Sequence, residues 1–311
     1  MRNKILHLSF KNFTKLFSPD ILVTLRVREF NEGSIGKIPL SNYNIYYEDQ
    51  RISMFFNFIK NLWRENNIVD SYPPYNHTVT SIEFSFMFED IRYDYRLKYN
   101  SENILMEELF INFELAVKYD HDSEEEIEIG KGWIKYSNNE EDDNLLLDCY
   151  YNGKNMKDGW NRKSIVFGSM STISDSISKF LKEYCVIYDE DLILTVKEQL
   201  RYDNYINGFD KTVIDKFREI APKLFPDTRI SRITEDLNIE FIDGYFVHIN
   251  NFSGGSGYMN FLILGPLLLD SVINNRVILA NSYLSEYHPM LRREIDKIFS
   301  SKESGQLIYI D

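Results

Sequence analysis

The sequence predicts an α/β fold carrying an added antiparallel β lobe. Three observations predict it. Strand and helix patterns follow one another at both ends of the chain. Alternating apolar and polar runs fill the stretch from Val79 to Tyr99 and continue beyond it. A glycine-rich turn near residue 255 opens directly into an apolar helix, and a short apolar strand follows.

A length of 311 residues allows one large domain or two closely associated lobes. Apolar residues make up 43% and charged residues 27%, the ordinary balance of a folded soluble chain. The net charge of −13 repels phosphate backbones at long range. Nucleic acid as a partner is therefore unsupported by charge, save for a small basic helix face at Arg292, Arg293 and Lys297. The two cysteines, Cys149 and Cys185, stand far apart and are expected as reduced thiols in a cytoplasmic protein. The opening "MRNKILHLSFKNF" lacks a long apolar core, so no signal peptide is expected. The longest apolar run, Phe261 to Leu269, falls short of the roughly 20 residues of a membrane helix, so no membrane partner is expected.

"ILHLSFKNF", "ILVTLRVREF" and "YNIYY" read as strands. Met54, Phe55, Phe58, Ile59 and Leu62 recur at helical spacing, which predicts a helix from Ile52 to Trp63. "VTSIEFSFMFED" and "IRYDYRLKY" form a hairpin turning at Glu89-Asp90. "ILMEELFINF" and "EEIEIGKGWIKYS" extend the β stretch across a charged break, "KYDHDSEEE", and "SNNEEDDN" reads as an exposed acidic loop. "SDSISKFLKEYCVIY" and "FDKTVIDKFREIAPKLF" read as helices, with Pro222 and Pro226 bracketing the end of the second. "ISRITEDLNIEFIDGYFVHINN" reads as a hairpin turning at Asp243-Gly244. After the glycine-rich turn come a helix to about Asp270, the strand "VINNRVILA", a further helix and the strand "GQLIYID".

Ser253-Gly254-Gly255-Ser256-Gly257 admits two readings. Backbone N–H groups at a helix start suit an anion, whereas glycines also let a chain turn sharply before a core helix. The five histidines share no spacing with other ligating residues, and no metal site is expected.

Taken together, the turn, the helix, "VILANSYLSEYHP" and "GQLIYID" resemble the C-terminal half of ABC-type ATPase heads. The branch is that of SMC-related proteins and the ATP-binding proteins of prokaryotic abortive-infection systems. "ILHLSFKNF" resembles the first strand of such heads, and "IEFSFMFEDIRYDYRLKY" resembles the hairpin of their β lobe. The resemblance implies a single head domain over 1–311 with a mixed or parallel sheet core flanked by helices. Its core lobe would comprise 1–70 and 245–311, its antiparallel β subdomain 78–160, and a helical segment with a hairpin 161–244. It also requires a parallel sheet that brings the strands ending at Tyr47 and Ala280 close together.

The same resemblance lays a P-loop over Tyr47-Glu48-Asp49-Gln50-Arg51-Ile52-Ser53-Met54. A P-loop needs glycines whose amides wrap phosphates, a lysine against the β- and γ-phosphates, and a hydroxyl for Mg²⁺. Tyr47 and Ile52 stand at the glycine positions, Ser53 at the lysine and Met54 at the hydroxyl, while Glu48 and Asp49 add negative charge. The Walker B carboxylates fall on Asn281 and Ser282, and a serine cannot take a proton from water at neutral pH. The sequence given stops at Asp311, before a switch histidine would come. No catalytic residue and no bound ATP or magnesium cofactor are therefore expected. The resemblance implies a pseudo-ATPase acting through protein partners: an active ATPase that borrows the Ser253–Gly257 turn, an effector subunit, or a second copy, in an anti-phage setting. Alternatives of other classes are a residual hydrolase or nuclease using Glu124, Glu125, Glu126 and Glu128, or Glu140, Glu141, Asp142 and Asp143, and a nucleic-acid clamp using the basic face at Arg292, Arg293 and Lys297.

Overall fold

The structure is a computed structural model. It describes residues 3–11, 22–26, 43–46, 57–59, 68–74, 78–138, 140–154, 163–188, 190–224, 229–252, 256–281 and 306–310.

Three strands come first: β1 (Lys4–Lys11), β2 (Leu22–Arg26) and β3 (Tyr43–Tyr46). Residues 57–59 are helical, within the helix expected from Ile52 to Trp63. Five strands follow: β4 (Thr80–Phe88), β5 (Ile91–Tyr99), β6 (Ile104–Ile111), β7 (Glu114–Asp120) and β8 (Ile127–Ile129). The helices α1 (Lys131–Tyr136), α2 (Glu140–Lys154), α3 (Ile165–Gly168) and α4 (Thr172–Lys179) lead through a π turn, Phe180–Tyr184, into β9 (Cys185–Tyr188). Beyond β9 lie α5 (Glu190–Leu194), a second π turn (Thr195–Leu200), α6 (Tyr202–Asn207) and α7 (Lys211–Leu224). Strands β10 (Ile230–Ile233), β11 (Asn238–Phe241) and β12 (Phe246–His248) precede α8 (Ser256–Asn274), β13 (Val277–Asn281) and β14 (Gln306–Ile310).

The chain divides into two compact units, 1–39 with 50–184 and 40–49 with 185–311. The first unit is built on a seven-stranded sheet, β2-β1-β4-β5-β6-β7-β8, antiparallel throughout. Its hairpin turns at Glu89-Asp90 as expected, with φ of 47° and 70°, the left-handed pair of a two-residue hairpin loop. Alternation puts Ile82, Phe84, Phe86 and Phe88 of β4 and Tyr93, Tyr95, Leu97 and Tyr99 of β5 on one buried face. The Phe86 ring stacks on Phe84, on Tyr93 and, at 4.4 Å, on Phe180 of the π turn. Aromatic rings thus join the sheet to the helical layer.

That face carries one carboxylate, Glu107, fully buried opposite Leu97. Its Oε1 accepts from the Tyr95 hydroxyl at 2.8 Å and from the Ser164 hydroxyl, and its Oε2 accepts from Ile165 N–H at 2.7 Å. Ser164 is also the N-cap of α3, accepting from Phe167 N–H. A buried acid is tolerable here because its lone pairs are met.

Several sequence expectations are corrected. "GWIKYS" is the helix α1, not a strand. A Cβ on Gly132 would lie 2.6 Å from the Glu114 carbonyl oxygen, so the chain can close over β7 only with glycine there. Trp133 then turns inward, fully buried, and donates to Asp143 at 2.7 Å. "SNNEEDDN" is not an exposed loop through its length, since α2 begins at Glu140 and places four acids in its first turn, where the positive helix end favours them. Within the segment read as helix up to Tyr188, "CVIY" is strand β9. α7 ends at Leu224, between Pro222 and Pro226 as expected, while α8 runs past Asp270 to Asn274. The lobe boundaries shift too: β1 and β2, expected in the core lobe, belong to the antiparallel sheet, while β9, expected outside it, joins the parallel one.

Burial raises the Glu107 carboxyl above its ordinary value, against the lowering by its hydrogen bonds to Ser164, Tyr95, Ile165 and Val166. An acid whose folded pKa is raised stabilises the fold below its unfolded pKa and loses that stabilisation as pH rises through the folded value. Denaturant titrations of wild type and Glu107→Gln at several pH values should therefore show the wild-type advantage shrinking as pH climbs above the ordinary carboxyl range. A difference that stays flat would contradict the upward shift that burial gives the Glu107 carboxyl.

Candidate functional site

The second unit is built around a four-stranded parallel sheet in the order β3-β14-β13-β9. In an open parallel sheet, ligands bind beyond the carboxyl ends of the strands. Register fixes which residues stand there. Tyr46 pairs with Ile310, and Ile310 pairs with Asn281. The three form one row at the carboxyl edge, and Tyr188 of β9 stands one row below, against Ala280. With one strand between them, the ends of β3 and β13 are two strand spacings apart, about 10 Å between Cα atoms. The parallel sheet required by the sequence reading is present, and it brings the two segments to one edge.

α8 packs against β13 and β14. It is 19 residues long, about 28 Å, whereas the five residues of β13 span about 17 Å. A tight turn through Asn275, at φ 53°, returns the chain from α8 into β13. The start of α8, Ser256-Gly257, therefore extends beyond the same carboxyl edge. Between Phe261 and Ser271 this helix is buried on all sides. Gly265 permits the close approach of rings, since a Cβ there would lie 2.9 Å from Phe261 and 3.0 Å from Phe217. Pro266 leaves the carbonyl four residues earlier without a helical donor. One residue along, the Ile263 carbonyl accepts from the Tyr205 hydroxyl at 3.1 Å.

The α8–β13 turn is pinned by polar groups that the sequence reading did not single out. The Ser271 hydroxyl donates to the Arg276 carbonyl at 2.5 Å, and Arg276 N–H donates to the Ser271 carbonyl. Asp270 is buried, with its Oδ1 accepting from Asn274 Nδ2 at 2.6 Å. Arg276 Nη1 stands 2.8 Å from Asp270 Oδ2, too oblique for a hydrogen bond, so charge holds the pair. Burial raises the Asp270 carboxyl, while Asn274 and Arg276 pull it down. One signal could have found it: Asp270 is the sole acid in the apolar run from Phe261 to Val272.

Of the residues assigned to a P-loop position, Tyr47, Glu48, Asp49, Gln50, Arg51, Ile52, Ser53 and Met54 all lie outside the described residues. So do Ser253, Gly254, Gly255 and Ser282, together with the basic face at Arg292, Arg293 and Lys297. Asn281 is the last residue of β13, and Ser256 and Gly257 are the first two of α8.

Glu126, Asp142 and Asp143 of the acidic clusters are engaged in the fold. Asp142 is buried and accepts from the backbone N–H groups of Asn138 at 2.6 Å and Thr172 at 2.9 Å. Glu126 accepts from the Tyr150 hydroxyl at 2.6 Å. Among the described residues, no group of three or more His, Cys, Asp and Glu is placed to hold a metal ion. No described helix is long and apolar enough to cross a membrane.

No protein-family model matches the chain, and no curated protein matches it. Among solved structures, it is similar to the SMC head domain from Thermotoga maritima, at 12% identity and a TM-score of 0.46 over 100% of this chain and 89% of that one. It is also similar to the recombination mediator protein RecF bound to ATP, at 12% identity and a TM-score of 0.36 over 100% of this chain and 93% of that one. These figures describe a likeness in chain path and carry nothing about what this chain binds.

Replacing Arg276 with alanine would leave the Asp270 carboxylate buried without its counter-charge. Because Arg276 is itself partly exposed, the cost should be about 2 kcal/mol, below that of breaking a fully buried pair. Urea unfolding of Arg276→Ala beside wild type measures it, and an unchanged midpoint would remove the pair from the account of the turn.

Proposed function

We propose that this chain is a non-catalytic nucleotide-motor-like head that acts through protein contacts. The reading rests on the row Tyr46–Ile310–Asn281, which brings the ends of β3 and β13 to one carboxyl edge. That edge is where a triphosphate and its Mg²⁺ would lie in a working parallel-sheet site. The residue types at the two strand ends do not suit them. At β13 an amide, Asn281, replaces an anionic metal-supporting carboxylate, and Ser282 replaces a general base. After β3, the run Tyr47 to Met54 lacks the glycines, the lysine and the hydroxyl, and it brings Glu48 and Asp49. Two carboxylates beside a triphosphate repel it rather than neutralise it.

With chemistry absent from the edge, the surfaces of the two units are what such a protein can offer. The glycine-rich sequence Ser253 to Gly257, whose last two residues open α8, is a feature that an active ATPase partner could use. The anti-phage setting belongs to this reading through the resemblance of its residues alone.

A titration of a fluorescent ATP analogue with Mg²⁺ should show no saturable binding in the micromolar range. Restoring both carboxylates, as Asn281→Asp with Ser282→Glu, should leave ATP hydrolysis at background, because nothing in Tyr47 to Met54 would grip the phosphates. Micromolar saturation by wild type, or hydrolysis by the double variant, would overturn the reading.

A further inference from the structure

Residues 190–207 run as α5, the π turn Thr195–Leu200 and α6, with Arg201 standing between the last two. Leu194, at φ −62° and ψ −44°, passes from α5 into the π turn without a break. Arg201 makes the break, at φ 63° and ψ 152°. That backbone region is open to glycine and strained for any residue with a Cβ. No residue nearby calls for it. From Glu190 to Asn207 there is neither glycine nor proline, and Glu198, Gln199, Leu200 and Arg201 all favour helix. Local preference is for one continuous helix, so packing imposes the bend.

Burial shows what the bend achieves. Ile193 and Val196 before it, and Tyr202 and Ile206 after it, all enter one apolar core. In a continuous α-helix Tyr202 would lie about two and a half turns from Ile193, on the opposite face, with Ile206 beside it. Leu200 would instead lie about two turns from Ile193 and about one from Val196, completing an apolar stripe. In the bent chain Leu200 is left 43% exposed. Two hydrogen bonds latch α6 in place: Asp203 N–H donates to Asn250 Oδ1 and the Tyr205 hydroxyl to the Ile263 carbonyl, each at 3.1 Å.

The bent form carries a second penalty beside the strain at Arg201. The Tyr202 hydroxyl is buried and has no hydrogen-bond partner among the described residues. A buried polar group left unpaired is unfavourable, and water would meet it if the ring turned outward. Backbone strain, an orphaned hydroxyl and an exposed leucine thus stand against two buried side chains and two hydrogen bonds. These are terms of the same order.

We propose that residues 190–207 are a two-state joint. The bent form is the ground state, and a continuous helix is its minor alternative. In that alternative Arg201 relaxes to helical backbone, Leu200 joins the stripe of Ile193 and Val196, and Tyr202 and Ile206 leave the core. Any contact made by the freed Tyr202 and Ile206 shifts the balance, by its preference for the straight form and no more. The proposal concerns the second unit's helices alone and stands or falls independently of the nucleotide-site reading.

Nitration of the full chain with tetranitromethane, followed residue by residue by mass spectrometry, reads the minor form through Tyr202. Tyr95 and Tyr188, fully buried in the first and second units, report unfolding of each. Tyr202 should react at least about tenfold faster than either, as a locally opening group does. Arg201→Gly removes the strain from the bent form and weakens the helix of the straight one. It should slow Tyr202 at least about tenfold while circular dichroism stays unchanged. Hydrogen exchange separates straightening from local unfolding. In a straightened segment the amides of 195–200 stay bonded, so they should exchange at least about tenfold more slowly than the opening read by Tyr202 allows. A wild-type Tyr202 that reacts no faster than Tyr188 overturns the proposal. So does an Arg201→Gly chain that reacts at the wild-type rate, and so do amides that open as often as Tyr202 reacts.

Discussion

Parallel pairing of β3, β14 and β13 is the constraint on which the second unit depends, because it alone decides what meets at the carboxyl edge. Strands β3 and β13 are separated by more than 200 residues in sequence, and neither pairs with the other. β14 joins them, with Tyr46, Ile310 and Asn281 in one row. A slip of one residue in either pairing would send alternate side chains to the opposite face of the sheet. Ile278 and Leu307, both fully buried, belong to the unit's apolar core and hold that register. The polar turn from Asp270 to Arg276 then sets where β13 begins relative to α8, so the reach of the helix beyond the edge follows from the same register.

The first unit meets a different problem, a broad apolar face covered by short helices. α3 has only four residues and α4 eight, too few to be stable alone. They are held by side chains that satisfy their ends: Ser164 and Ser171 cap α3 and α4, and Glu107 reaches out of the sheet to the first turn of α3. The Ser169 hydroxyl donates to the Val166 carbonyl, and the Ser174 hydroxyl donates to the Phe167 carbonyl. This buried polar network specifies where the helices sit, while Phe86 and Phe180 supply apolar contact.

What could be read from sequence follows from how local the cause is. The hairpin β4–β5 was legible because alternation and its two-residue turn are both local signals. β9 was not, since "CVIY" follows a helix without a break and becomes a strand only by pairing with β13, almost a hundred residues on. α1 was missed because "GWIKYS" keeps an apolar spacing that fits strand or helix alike, and the close approach of Gly132 to Glu114 is a tertiary fact. Glu107 was visible in principle: it shares parity with Leu109 and Ile111 in β6, so alternation alone assigns it to the buried face. At the candidate site the positions after β3 and β13 could be named from sequence, but their adjacency came only through the family resemblance, because it passes through a third strand, β14.

The ladder that forms the carboxyl edge does not depend on which side chains stand there. Ladder hydrogen bonds between β3, β14, β13 and β9 are made by backbone, which is indifferent to side-chain identity. The buried apolar groups that hold the sheet, Val277, Ile278, Leu279 and Leu307, lie along the strands below the edge row. In a working site of this kind, glycines, a lysine and carboxylates at the edge serve the ligand, and a buried or clustered charge there is a cost to stability rather than a support. Asn281 places an uncharged amide in the edge row, and the pairing of β13 with β14 continues through that very residue.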